Sequence, residues 1–551
     1  MTIALPKPLR TYQYRPLTVF SLIDTDTDRV LPQLFEMCVK GGRSSRSRTN
    51  TGDFAGYRSA LLQSGTVVGY SSQWQSLLDG WLRTCVVDMG AFGRERSGEQ
   101  MLAVAPLTLA AYRAGLPKDR SRHRGIDDFA YQVLVDGLAH SGSENPVADL
   151  RELVTQTVGR GLSIGPQPRW EPHLDDPSQL DIGALLEFRF LEGFEMADAR
   201  AIDGGSADSP LPAVATQIGA DLLGHLRAYG PIVPTQSLMA SFAALLATGV
   251  YTFTLRADAA GRELLRNGGE LTPDMIEQRY GVAAPPSQLE IYCDLTGDLG
   301  STSDRLARRC VERDLDHTRL AFRDRMTFVV IEQALNRIAA EKARFDELDR
   351  TGQLALLASL REHRRVESYC EARIDDLVAD AEESDAATET EVDFLRQVQG
   401  RDESELDKLL DIIQLVNETK ALKNSVAWLS SVGGLTKPYG LLDGVSTNRR
   451  TWRYAPGDEQ LTALLMALFL TPDGSSYRRT MPLQDVLVGL RDRYGLLIDR
   501  PPAFLDGAEA RAAATANLEA FKRRLQLLGC FDSLSDDFSV QTVRHPLGDA
   551  R

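Results

Sequence analysis

The run GLTKPYGLLDGVSTNRRTWRYAPGD, Gly434 to Asp458, sets how the C-terminal stretch from Leu435 to Leu547 is read. It is Gly-rich, basic and aromatic, and it precedes three segments with helical apolar spacing. Leu461, Leu464, Leu465 and Leu468 recur at i, i+3, i+4 and i+7, the period of one buried helical face. Leu483, Val486, Leu487, Leu490 and Tyr494 repeat it, with Thr480 and Pro482 as start signals. A third helix is expected from about Gly507, with Leu518, Phe521, Leu525 and Leu528 on one side and Gly529 as its stop. The paired prolines of DRPPAFLDG separate the second from the third. A hairpin, three helices and the ending FSVQTV are the parts of a winged helix.

That module normally reads duplex DNA with its third helix. Here the exposed side of the third helix offers only Lys522, Arg523 and Arg524. Richer clusters lie upstream: Arg449, Arg450 and Arg453 beside Trp452 and Tyr454, and Arg478 and Arg479 beside Tyr477. Arginines interleaved with aromatic rings can neutralise phosphate while the rings stack bases. A hairpin whose rings pack inward and whose arginines are solvated has the same sequence, as does a module that docks protein alone.

Working outward, the 551 residues suffice for two to four domains, and 43% hydrophobic with 25% charged residues is ordinary for a soluble globular protein. The net charge of −15 hides an uneven distribution. Residues 1–125 carry 17 Lys and Arg against 10 Asp and Glu, a net of +7. Residues 126–430 carry 30 against 53, a net of −23, and residues 431–551 carry 15 against 14, a net of +1. Such a field repels nucleic acid from the middle and not from the ends. Six cysteines without a CxxC pair argue against a zinc ribbon or a disulfide framework and fit a reducing cytoplasm. MTIALPKPLRTYQYRP lacks the apolar core of a signal peptide. No metal site or cofactor is expected, since HExxH, Walker, CxxC and GxGxxG signatures are all missing.

Along the chain, Lys40 to Phe54 reads as a basic loop carrying Lys40, Arg43, Arg46 and Arg48, able to clamp phosphate or an acidic partner. Gln73 to Tyr131 reads as helical, and a second basic loop spans Lys118 to Gly125, with His123 a solvated side chain. Asp181, Glu187 and Arg189 faintly echo the acidic pair of metal-dependent nucleases, without the lysine. The apolar stretch Leu238 to Leu255 reads as a buried helix running into a strand, VYTFTL, with Gly249 at the junction. LEIYCDLTG reads as a strand followed by Asp294 and Asp298, either a carboxylate site at a strand end or a turn capped by Thr302 or Ser303 into the next helix. That helix is expected to run from Asp304 towards Asp349, and further long helices follow on either side of the acidic linker ADAEESDAATETE. Leu409, Ile412, Ile413, Leu415 and Val416 are expected to pack inward or to dimerise.

The expected fold is mainly α with small β elements: a basic helical N-terminal domain (1–140), a mixed α/β region (141–300), an acidic long-helix bundle or arm (301–430) and a winged-helix-like C-terminal domain (431–551). The acidic helical middle, RRTWRYAP (449–456) and FKRRLQLLGCFDSLSDDFSVQTVRHPL (521–547) resemble uncharacterised helical subunits of bacterial phage-defence operons, namely the methylation-associated and phosphorothioation-dependent systems. The resemblance covers the C-terminal quarter and carries no catalytic motif. It implies a cytoplasmic, non-enzymatic partner of a DNA-handling ATPase of the same operon. The expected function is a DNA-associated scaffold or adaptor, with no membrane partner. A hydrolase or nuclease with a carboxylate site near Asp294, and a purely protein-docking winged helix, are the alternatives.

Overall fold

In this computed structural model, residues 3–44, 54–63, 72–90, 100–115, 123–194, 208–276, 289–384, 388–531 and 541–548, with 196, 198 and 200–201, are described. The described residues form eighteen α-helices and twelve short strands, so the protein is mainly α with small β elements. The N-terminal part comprises α1 (Arg15–Thr18), α2 (Leu31–Lys40), α3 (Phe54–Gln63), α4 (Gln75–Trp81), α5 (Ile126–His140), α6 (Pro146–Thr157) and α7 (Ile182–Leu191). Three strand pairs lie among them: β1 (Arg43–Ser44) with β6 (Arg200–Ala201), β2 (Val87–Gly90) with β3 (Gln100–Val104), and β4 (Leu162–Ile164) with β5 (Pro172–Leu174), all antiparallel. The helical reading of Gln73 to Tyr131 therefore needs correction. QMLAV pairs as a strand, and LAAYRA forms a 3-10 turn rather than an α-helix.

Next come α8 (Pro212–Tyr229) and α9 (Thr235–Arg266), then β7 (Ile291–Tyr292) and α10 (Thr302–Leu335). The expected strand at VYTFTL is absent, because α9 continues unbroken through Gly249. Its β-branched residues are accommodated by back-bonding. Thr248, Thr252 and Thr254 donate their hydroxyls to the carbonyls of Ala244, Thr248 and Val250 at 2.8–3.0 Å. Gly249 instead admits Ile218 of α8, whose side-chain carbons would lie 3.1 Å from a Cβ there. Apolar on every side, α9 is a core helix; by length and composition it could cross a membrane, but its apolar window is 89% buried inside the protein.

Ser301 caps α10, accepting from the Asp304 amide at 3.1 Å while the Asp304 carboxylate accepts from Gly300 N–H at 2.8 Å. The cap is Ser301 rather than Thr302 or Ser303. The helix also stops earlier than expected, at Leu335, and α11 (Ala339–Glu347) is separate. There follow α12 (Arg350–Ser359), α13 (Arg364–Glu383), α14 (Glu389–Gln399) and α15 (Glu405–Val432). The first five residues of the expected acidic linker belong to α13, and Thr388 with Glu391 forms a capping box that starts α14. α10 packs on both α9 and α15, and α13 packs on α15. Leu409, Ile412 and Ile413 are fully buried in that seam, while Leu415 and Val416 are half-buried.

At the C-terminus, β8 (Leu442–Asp443) and β9 (Arg453–Tyr454) form the hairpin. Then come α16 (Asp458–Phe469), β10 (Thr480–Pro482), α17 (Leu483–Tyr494), β11 (Leu496–Leu497), α18 (Ala508–Leu527) and β12 (Thr542–Arg544). β10 pairs antiparallel with β12, where Val543 also bridges to Phe531, and β11 pairs in parallel with β7. Gly495 makes the tight exit from α17: its φ is +74°, and a Cβ would stand 2.4 Å from the Leu289 side chain. One continuous apolar core runs from Ile3 to Val543.

Two buried histidines belong to it. His225 Nε2 meets Ser241 Oγ at 2.8 Å, and His545 Nε2 meets Tyr229 Oη at 2.9 Å, whose own proton goes to the Met466 carbonyl at 2.7 Å. Burial pushes both imidazoles down to about 4, so both are neutral in the fold. The stabilisation this gives is complete above the ordinary histidine value of 6.5 and is lost as pH falls towards 4, because the unfolded chain takes up protons first. By pH 5 each ring should withdraw on the order of 2 kcal/mol. Urea unfolding at pH 7 and 5 should show a smaller pH-dependent loss in His225→Gln/His545→Gln than in wild type.

Candidate nucleic-acid interface

The hairpin separates its aromatic residues from two of its arginines. Trp452 is 3% exposed, and its indole N–H donates to the Val445 carbonyl at 3.0 Å. Tyr454 is fully buried: its hydroxyl donates to Asp314 at 2.6 Å and meets Tyr251 Oη, also at 2.6 Å. Burial and the neighbouring Asp314 carboxylate hold that phenol well above its ordinary value. Neither ring has a face open to a base. Arg453 is half-buried and bonded to Asp443, with Asp304 at 3.7 Å. Arg449 and Arg450 form a short 3-10 turn on the outside and are exposed.

Arg478 and Arg479 are exposed as well, with the backbone held at Phe469 and His545 by hydrogen bonds of 2.8 Å. Tyr477 beside them is half-buried against His545, with ring centroids 4.2 Å apart. α16, about 18 Å long, lies between this pair and the hairpin pair along the chain. On α18, Lys522 pairs with Glu519 at 2.7 Å, Arg524 pairs with Asp458, and Arg523 is exposed. At the other end of the chain, Arg43 is exposed and lies over the Trp170 ring at 5.9 Å. Arg46, Arg48 and the loop of Lys118 to Arg122 lie outside the described residues.

Two N-terminal expectations change. Lys40 does not belong to a solvated loop: it ends α2, is 1% exposed and pairs with Glu36 at 2.8 Å. His123 is 1% exposed, with Asp127 at 3.4 Å, and so is not solvated. Three further arginines escaped the sequence reading. Arg308 donates to the Arg450 carbonyl at 3.3 Å, and Arg305 and Arg309 share the first turns of α10 with it. Their i, i+3, i+4 spacing in SDRLARRC was the available signal.

Asp294 occupies a structural turn. Its Oδ1 accepts from Thr296 N–H at 3.1 Å and from the Thr296 and Ser303 hydroxyls at 2.7 Å, and its own amide donates to the Tyr454 carbonyl at 2.8 Å. It also lines a cavity of about 260 Å³ beside Lys437, Arg453 and Arg524, with no histidine in the wall. Asp298 is exposed. Asp181 caps α7 through Ala184 N–H at 2.8 Å, whereas Glu187 is fully buried and held well above the usual carboxylate range by that burial. Among the described residues no group of three or more His, Cys, Asp or Glu is placed to hold a metal ion.

The family model of Methylation-associated defense system protein MAD7 matches residues 7–547. The chain belongs to that family. The match reaches far beyond the C-terminal quarter in which the sequence resemblance was read, and it makes this a protein of a methylation-associated defence system. No curated protein and no solved structure matches the chain.

One buried amide ties α18 to the rest. Asn517 is fully buried, accepts from Leu295 N–H at 2.7 Å, and donates to the Cys293 and Ile498 carbonyls at 2.8 and 3.0 Å. Asn517→Ala leaves these backbone groups without partners inside the protein and should cost about 3 kcal/mol or more in urea unfolding. Thr515→Ala on the exposed side should change stability by about 0.5 kcal/mol or less.

Proposed function

We propose that this family member serves its defence system as a non-enzymatic, cytoplasmic scaffold that contacts the DNA backbone through its C-terminal region and holds protein partners, such as an ATPase of the same operon, along its helical middle. The observation that carries this reading is a contrast between arginines. Several in the helical middle pair with carboxylates of the same fold, Arg323 with Asp407 and Asp411, Arg325 with Asp258, Arg396 with Glu382 and Arg401 with Asp411, although Arg364 and Arg365 of α13 are exposed without an ion pair among the described residues. Arg449, Arg450, Arg478 and Arg479 are exposed, and none makes an ion pair among the described residues. Their charge is available to phosphate.

The order α16, β10, α17, α18, Phe531 bridge, β12 supports reading this region as a winged helix, with α18 in the recognition position. The outer face of α18 presents mainly Ala512, Thr515, Ala516 and Glu519, with Arg511 paired to Asp506 and Arg523 as its one exposed arginine without an ion pair among the described residues, which is little for reading base edges. Contact is therefore to phosphate and largely independent of sequence. Engagement of three or four arginines gives log K a slope of roughly −3 to −4 against log salt. In gel shifts at low ionic strength, Arg449→Glu/Arg450→Glu/Arg478→Glu/Arg479→Glu should abolish the complex, and Arg344→Glu in the middle should not. A wild type that shifts no DNA at low salt, while the quadruple variant loses a protein from pull-downs, assigns these arginines to protein docking instead.

A further inference from the structure

One patch in the acidic middle carries positive charge that the fold does not use. Arg337, just past the end of α10, and Arg364 and Arg365, in the first turn of α13, are exposed and make no ion pair among the described residues. Tertiary packing brings them together, since Arg365 Nη1 donates to the Arg337 carbonyl at 2.9 Å. The Arg337 guanidinium lies 4.9 Å from the centroid of the Tyr369 ring, one helical turn on from Arg365.

The fold's own electrostatics do not account for this cluster. Arg364 opens α13, where the helix dipole disfavours a cation. Three guanidinium groups carry roughly fifteen N–H donors, and one of these is used inside the protein among the described residues. Like charges held this close repel, and an anion laid across them removes the repulsion.

We propose that this patch docks an acidic segment of a partner protein, a short run of Glu or Asp whose carboxylates meet Arg337, Arg364 and Arg365. The inference rests on the protein-docking half of the function proposed above and places that contact at the junction of α10 and α13. Three guanidinium groups on two elements match a run of carboxylates, because a single one engages one guanidinium at a time in the bidentate manner. Nucleic acid suits the patch less. Tyr369 is 5% exposed, and the Arg337 and Arg373 guanidinium groups stand 4.9 and 5.3 Å from its ring centroid, so the ring is closed to a base. A duplex, with one charge for about every 1.7 Å, runs on past the patch and meets the exposed carboxylates Glu362, Glu371 and Asp376 in a region of net charge −23. A segment of a few residues ends before it reaches them.

Calorimetric titration with octaglutamate at low ionic strength tests it. The full chain carries Arg449→Gln/Arg450→Gln/Arg478→Gln/Arg479→Gln, so that the exposed C-terminal arginines do not compete for the peptide. Octaglutamate should bind with a Kd of about 1 mM or tighter, and octaglutamine should give no heat. Adding Arg337→Glu/Arg364→Glu should weaken octaglutamate at least about tenfold, whereas Arg337→Lys/Arg364→Lys should keep most of the binding, and melting curves show that each variant is folded. Three results would each overturn the inference. They are no binding of octaglutamate at roughly 10 mM, binding that Arg337→Glu/Arg364→Glu leaves unchanged, and displacement of the peptide by a short duplex whose own binding that pair of substitutions abolishes. The second puts the contact elsewhere and leaves the scaffold reading standing, and the third assigns the patch to nucleic acid. Failure of the scaffold reading is a separate result: a wild type that binds octaglutamate and retains no ATPase of its operon in pull-downs, which leaves the patch an acidic-peptide site.

Discussion

The structure depends on a buried chain of hydroxyls. Tyr251 of α9 meets Tyr454 of β9, and Tyr454 donates to Asp314 of α10, each at 2.6 Å. Trp428 of α15 stacks on Tyr251 with the rings 5.5 Å apart and 5° from parallel. Four elements distant in sequence thereby meet at one point. Inside a low-dielectric core such a chain is strong when complete and costly when broken, so it fixes where the hairpin leaves the long helices. Arg313 bonds the other oxygen of Asp314 at 2.7 Å, so both oxygens of that carboxylate have partners.

The electrostatic character of the surface follows from that framework. Anchored by Tyr454 and Trp452, the hairpin can hold Arg449 and Arg450 outward without giving either a carboxylate. The long helices do the opposite: their arginines neutralise neighbours and bind α10 to α15. A net charge of −23 in the middle is therefore partly tied down in bridges, while Arg449, Arg450, Arg478 and Arg479 of the C-terminal region are exposed and make no ion pair among the described residues. Half-buried bridges such as Arg323 with Asp407 and Asp411 add modest stability each and mainly set register between helices.

Much of this was legible in sequence, and the misses have physical causes. The three C-terminal helices were found because their apolar period is clean, and the hairpin from the Gly-rich, basic and aromatic run that precedes them. α9 was cut short at Gly249 because Val250, Thr252 and Thr254 favour strands locally; burial on all sides and hydroxyl back-bonding outweighed that preference. The aromatic and basic mixture at 449–454 was legible as composition but not as orientation, since only the third dimension places Trp452 and Tyr454 inside. Lys40 was misread because its partner, Glu36, lies one helical turn back in a stretch that looks apolar. The cavity could not be found at all. Its wall comes from the loop after β7, the glycine-rich turn, the start of α16 and the end of α18, and no single segment carries its pattern.

The central claim is that uncommitted arginines on a rigid hairpin and on the β10 approach form the nucleic-acid face. Amide hydrogen exchange of the full chain, with and without a short duplex at low salt, tests it most directly. The account predicts added protection confined to residues 445–453 and 474–480, with the amides of α13 and α14 unchanged. Protection centred on the acidic helices, or none at either arginine pair under conditions where the duplex is bound, would contradict it.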